Sequence, residues 1–283
     1  MEKQQTVAAS ASVSGIALHT GARAVVRLLP AEENRGIVFR RIDLDGKPEV
    51  RALAGNVVDV QRGTTIASGA VVVYTVEHIM SALHACRIDN CIVEVNGMEP
   101  PICDGSSLPY FEMIRSAGAV EQSAPVRWFT PDRPVAVVGG KTRLVFIPGD
   151  NPLTISCVTS FRGCPIDPQL EDFELGTEAY GAEIAPARTF VDFADLKPLL
   201  AMGLVKGGSL DAAAIIHDGA IICKERLRFG NEIVRHKILD IIGDLYLTGR
   251  RLTGTVVAVR PGHPKNVELA KQLLALAEAE PQP

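Results

Sequence analysis

The stretch Val234–Leu245, VRHKILDIIGDL, decides how this chain is read. Its apolar spacing is helical. Counting about 100° per residue from Ile233 puts His236 at about 300°, Asp240 at about 340°, Asp244 at about 20° and Lys237 at about 40°. The opposite arc holds Val234, Ile238, Leu239, Ile241, Ile242, Leu245 and Tyr246. A helix this apolar is expected to be largely buried, yet its polar groups share one narrow stripe with the small Gly243 beside them. Buried charges are costly unless paired or bound to a metal. On pattern alone the stripe either faces water or forms the wall of a site.

His236 and Asp240 stand at i and i+4, the spacing that sets two metal ligands on one helix face. A catalytic zinc needs about three protein ligands and an open position, so a second segment is required. The candidate is TVEHIMSALHA, Thr75–Ala85. Val76, Ile79, Met80 and Leu83 mark its apolar face, and Glu77 and His78 fall off that face in the first turn. Thr75 is the expected N-cap, and the helix dipole there favours an anionic Glu and a neutral His. An exposed Glu-His pair is the bland alternative. His263, in RPGHPKN after the strand TVVAV, is expected on a loop able to present a side chain to a cleft. His19, beside a Gly turn, reads as a site or a turn residue; His84 and His217 read as structural or surface groups.

The totals set bounds. A chain of 283 residues, 47% hydrophobic and 22% charged, is long enough for one large or two ordinary domains with proper cores. A formal net charge of −4 with scattered basic residues argues against nucleic acid as a partner. No segment has the unbroken apolar length of a membrane span, and the start lacks the apolar core of a signal peptide. Six cysteines without CxxC spacing read as reduced structural thiols in the cytoplasm.

Along the chain, VSGIAL, RAVVRLLPA, GIVFRRI and GAVVVYT read as strands, followed by the Glu-His helix, the strand CIVEVNG and a helix around LPYFEMIRSAG. SAPVRWFTPDRPV is Pro-rich without periodicity and is expected to be a boundary. The second part repeats the order: strands RPVAVV, RLVFIPG and LTISCVTSF, the His-x3-Asp helix, the strand GTVVAVRPG and a last helix from Asn266. The expectation is an α+β fold of two similar units, 1–123 and 124–283. Phe193–Ile222 breaks the repeat; apolar and Gly-rich, it reads as ordinary core or as an insert lining an apolar passage.

These stretches together resemble the zinc-dependent UDP-3-O-acyl-N-acetylglucosamine deacetylases of lipid A synthesis. The likeness is carried by SGIALHTG, NRGIVFRR, TVEHIMSAL, IDNCIVEVNGMEPPICDGSS, ARTF, GLVKGGSLD, LRFGNEIVRHKILDIIGDLYL and GHPKN, in family order over nearly the whole chain. The resemblance implies two β-α-α-β domains in a layered sandwich, each with a small insert. It implies His78, His236 and Asp240 as ligands of Zn2+ (Fe2+ being conceivable with this set), Glu77 as general base and His263 as general acid. Asp244 is implied to orient that acid, and Thr189 to help stabilise the oxyanion. Lys237, Phe190, Phe161, Gly208 and Leu18 are implied to contact an acylated sugar nucleotide, and the insert around Gly207 and Gly208 to form the acyl passage. A monomeric cytoplasmic enzyme acting on a small molecule is expected. The rivals are another zinc amidohydrolase or peptidase, and a non-enzymatic carrier of the same ligand with a structural zinc.

The chain also departs from the family pattern. Val205 and Lys206 stand where apolar neighbours are frequent, which bears on acyl length. Lys141, in GGKTR, stands near the place of the family's second phosphate-contacting lysine.

Overall fold

A computed structural model describes residues 2–160 and 168–279. Two mixed sheets dominate. In the first, strands run in the order 11–16, 23–30, 91–95, 37–41, 49–51; in the second, 135–139, 142–152, 251–259, 154–159, 169–174. The order is the same in both: the last strand of each set inserts between the second and third. It lies antiparallel to the second strand and parallel to the third. The inserted strand comes after a helix, as a parallel connection demands. The repeat of strands, helix, strand and helix read from the sequence is therefore present as topology.

Six helices accompany the sheets among the described residues: α1 (Glu77–Ala85), α2 (Leu108–Ala117), α3 (Thr177–Glu183), α4 (Phe193–Ala201), α5 (Glu232–Tyr246) and α6 (His263–Ala279). The helix α2 packs on strand 11–16, α5 on strands 154–159 and 169–174, and α6 on strands 135–139 and 142–152. The helices α1 and α5 cross each other, and one continuous apolar core joins both sheets to them. Gly243 permits the crossing: a Cβ there would lie 2.1 Å from the Glu77 carbonyl oxygen. Two small sheets stand apart from the repeat. One comprises 57–59, 65–68 and 71–73, the other 190–192, 214–217 and 220–222, with α4 between its first two strands.

Three expectations are corrected. The segment read as irregular, SAPVRWFTPDRPV, begins with the last residues of strand 119–125, paired antiparallel with 3–7, and contains the short strand 128–129, paired with 251–259. Pro125 is tolerated because this two-stranded sheet has only edge strands. Thr75 does not cap α1; it has φ 52°, and its hydroxyl donates to Glu99 Oε1 at 3.0 Å. His263 is not in the loop but is the first residue of α6, because Pro264 suits a helical first turn where no N–H partner is needed.

Candidate metal centre and catalytic cleft

The helix α5 is buried along nearly its whole length, and the stripe does not face water: His236, Asp240 and Asp244 are each no more than 2% exposed. Because α1 crosses α5 at Gly243, the start of α1 delivers Glu77 and His78 to the same place. One ligand atom from each of His78, His236 and Asp240 lies within 4.8 Å of the others. The two imidazoles meet edge to face at 5.2 Å between centroids.

The neighbouring chain fixes how these groups point. His236 Nδ1 donates to the Ala187 carbonyl at 3.0 Å, which turns Nε2 toward Asp240 Oδ1, 3.5 Å away. Ala187 is held in turn by Arg188, whose Nε donates to Glu232 Oε1 at 2.8 Å. Both partners of that ion pair are buried, and its value lies in tying the Ala187–Thr189 segment to the start of α5 rather than in stability. Ser107 Oγ donates to the His78 carbonyl at 2.7 Å.

The donor set suits a divalent cation. Burial, then the neighbouring His236, pushes His78 down to about 3; burial also lowers His236. Both rings are therefore neutral and able to ligate. Burial alone would raise Asp240, but Lys237 and the three histidines outweigh it and hold the carboxyl below the usual range. Asp240 Oδ1 and His78 Nδ1 are buried without a hydrogen-bond partner, although buried polar atoms are ordinarily paired. A divalent cation bound by this set would satisfy both atoms.

Glu77 and His263 close the opposite side. Glu77 Oε2 accepts from the Thr64 N–H at 2.9 Å, while Oε1 lies 3.9 Å from His263 Nε2. Burial raises the Glu77 carboxyl to about 7, with Asp244 and Asp240 adding and His263 opposing. His263 Nδ1 donates to Asp244 Oδ2 at 2.9 Å. Burial disfavours its charged form, but Asp244, Asp240 and Glu77 prevail and raise it to about 9. Asp244 also accepts from Thr64 Oγ1 at 2.6 Å and from Asn266 Nδ2 at 2.9 Å, so the residue that orients the imidazolium is itself held by α6 and by the segment before strand 65–68.

These groups open onto a cleft of about 710 Å³. Lys237 Nζ donates to Asp240 Oδ2 at 2.7 Å and sits 5.1 Å over the Phe190 ring. Leu18, Thr189 and Phe190, with Pro198 and Leu199 from α4 and Met202 just past its end, line the wall. Arg62 and Asp195 form an ion pair at its edge. Gly208 is outside this wall, and Phe161 lies outside the described residues. Gly207 makes the close approach in that insert: a Cβ there would lie 2.2 Å from the Ala17 carbonyl. Val205 and Lys206 also stand off the cleft, and Lys141 is exposed in the turn between strands 135–139 and 142–152.

The cation that the sequence reading missed is Arg260. It lines the same cleft as Lys237, with Nε donating to Ser160 Oγ at 2.7 Å and a left-handed φ of 50°. Its position three residues before His263, at a strand end, was the available signal. Of the remaining histidines, His84 is buried and stacked on Tyr246 at 4.2 Å, and His217 is half exposed. His19 is buried with its N–H donated to Glu99.

Two imidazoles and a carboxylate that can hold a divalent cation, with a carboxylate and an imidazolium across from them, are the equipment of a metal-dependent hydrolase. Residues 4–275 match the LpxC family, UDP-3-O-acyl N-acetylglycosamine deacetylase, and the chain belongs to that family. It is 41% identical over 271 residues to the UDP-3-O-acyl-N-acetylglucosamine deacetylase of Citrifermentans bemidjiense, covering 96% of this chain and 88% of that one. It is also 41% identical over 272 residues to the enzyme of the same name from Myxococcus xanthus, covering 96% and 86%. The Marinobacter nauticus protein of that name is 37% identical over 282 residues, covering 99% and 92%.

Proposed function

We propose that this chain hydrolyses the N-acetyl group of UDP-3-O-acyl-N-acetylglucosamine, releasing acetate and the free amine, as a Zn2+ enzyme of lipid A synthesis; Fe2+ is the other ion this ligand set accepts. The observation that carries the reading is the convergence of His78, His236 and Asp240 opposite Glu77 and His263. His78, His236 and Asp240 would hold the ion, which would supply Lewis acidity to the hydrolysis.

The chain's own groups divide the proton work. Glu77 takes a proton from the attacking water as the C–O bond forms. His263, kept protonated by Asp244 at Nδ1, gives the Nε2 proton to the amine nitrogen as the C–N bond breaks. Thr189, on the same wall, offers its hydroxyl to the developing oxyanion. Lys237 presents a point charge to the diphosphate, and Arg260 lines the same cleft. Leu18, Phe190, Leu199 and Met202 offer apolar surface to the acyl chain.

In this reading the units 1–123 and 124–283 each contribute part of the site, the first with Glu77, His78 and Leu18, the second with His236, Asp240, His263, Thr189, Lys237 and Arg260. No described helix is long and apolar enough to cross a membrane, and the five described cysteines are unpaired. The proposed enzyme is monomeric and cytoplasmic and acts on a small molecule. The test is acetate release from UDP-3-O-acyl-N-acetylglucosamine by the purified, zinc-loaded chain. A metal-replete protein that releases none would overturn the assignment.

A further inference from the structure

A second cavity, of about 280 Å³, shares no residue with the catalytic cleft. Arg51 comes to it from strand 49–51, Arg127 from the segment after strand 119–125, and Arg250 from the turn after α5. None of these guanidiniums has a carboxylate partner within ion-pair distance among the described residues, whereas Arg27, Arg35, Arg40, Arg41, Arg188 and Arg251 all have one. The wall holds two carboxylates. Asp89 is already engaged, Oδ2 by Arg251 Nη2 at 2.7 Å and Oδ1 by its Nε at 2.9 Å. Glu278, exposed on α6, makes no ion pair among the described residues. Three unpaired arginines against one free carboxylate leave a surplus of positive charge.

The cavity is also built. Buried Gln4 donates to Asn34 Oδ1 at 2.9 Å and accepts from the Asn34 N–H at 2.9 Å and from Asn90 Nδ2 at 2.8 Å. Asn34 is thereby held at φ 62°, a conformation Asn tolerates. Its Oδ1 receives Arg127 Nη2 at 2.8 Å, and the Arg127 carbonyl accepts the Arg251 N–H at 3.0 Å. Arg127 is therefore positioned at both ends. Partial burial, then the charges of Arg250 and Arg51, pull its pKa below the ordinary value. Like charges gathered on a fixed amide floor store a repulsion that a bound anion relieves, and arginine forks match phosphate oxygens in pairs.

We propose that this cavity is a binding site for a compact, multiply charged phosphate anion, distinct from the catalytic cleft. Arg51 belongs to the first sheet and Arg250 to the turn leading into the second, so an anion held by both bridges the two. Tyr246 and Thr248 at the end of α5 form part of the wall. The bound anion thus braces the helix whose other turns carry His236 and Asp240.

The test uses inorganic pyrophosphate as probe, titrated calorimetrically into the metal-loaded protein at low ionic strength, with metal content measured before and after. Three proteins are compared: the parent, Arg51→Ser/Arg127→Ser, and Lys237→Ala/Arg260→Ala, which disables anion contacts in the cleft. The expected result is a binding component present in the parent and in the cleft variant. It should weaken at least about tenfold in the arginine variant, which loses two charge-assisted forks. Single Arg51→Ser, at an exposed position, serves if the double variant is poorly folded. It should melt no lower than the parent without anion, because a repulsion has been removed, yet gain less Tm when pyrophosphate is added. Pyrophosphate binding that survives in both arginine variants, disappears only in the cleft variant, or is absent from the parent at millimolar probe would overturn the proposal.

Discussion

Replacing Gly243 by alanine sets two physical effects against each other with opposite signs. By helix propensity, Gly to Ala in a helix interior gains about 0.8–1.0 kcal/mol. At Gly243 the added methyl would stand 2.1 Å from the Glu77 carbonyl oxygen, 2.9 Å from its carbonyl carbon and 3.1 Å from its Cα. All three are backbone atoms of α1 that no side-chain rotation can move. Reaching even 3.0 Å from the oxygen requires α1 to retreat from α5 by about 0.9 Å. Overpacking of this kind costs typically about 1–3 kcal/mol, so the variant should be about 1 kcal/mol less stable in urea unfolding of the metal-free protein. The same retreat carries Glu77 and His78 away from His236, Asp240 and His263. A displacement of roughly 1 Å can cost on the order of 10²-fold in rate, and metal affinity should fall with it. Unfolding free energy, metal affinity by competition with a chelator, and kcat/KM together decide the matter. A Gly243→Ala protein as stable as the parent, with parental metal affinity and turnover, would refute the claim that this glycine sets the distance between the two halves of the site.

His236→Ala should lose most of its bound metal while keeping its fold, as read by metal analysis and circular dichroism; undiminished zinc would remove His236 from the ligand set. Metal-replete Glu77→Gln and His263→Ala should each lose about 10²–10⁴-fold in kcat/KM. The parent's activity should rise with pH as Glu77 ionises and fall as His263 gives up its proton, and His263→Ala should lose the falling limb; near-parental rates in both variants would reject the acid-base pair. His84, buried against Tyr246 and lowered by that burial from 6.5 to about 4, binds its proton more readily in the unfolded chain. Its contribution, at most about 3 kcal/mol, is therefore intact above pH 6.5 and is lost as pH falls toward 4. Urea unfolding at pH 7 and pH 5 should show a smaller difference for His84→Phe than for the parent, and an equal difference would place the acid sensitivity elsewhere.

Much of this molecule is written locally. The doubled order of strands and helices, the stripe on α5 and the Glu-His start of α1 follow from periodicity, because a 3.6-residue or 2-residue repeat constrains only near neighbours and each neighbour is visible in the chain. The resemblance then attached roles to those residues. What periodicity left open was whether the stripe faces water, because a wheel gives direction around a helix but not what lies opposite. The structure decides it by laying α1 across Gly243, a contact spanning 166 residues of chain. Long-range contacts decide the rest as well. Asp244 holds His263, Ala187 fixes the His236 ring, Thr64 meets both Glu77 and Asp244, and Arg260 lines the same cleft as Lys237. The same holds for strand 119–125, whose last residues read as part of an irregular boundary and which is defined by its partner at 3–7. Sequence by itself determined which elements form and which residue types each carries. Tertiary structure alone decided which of those residues meet, because the free energy of a buried ion pair or a close helix crossing belongs to two distant segments at once, and no pattern within either segment encodes it.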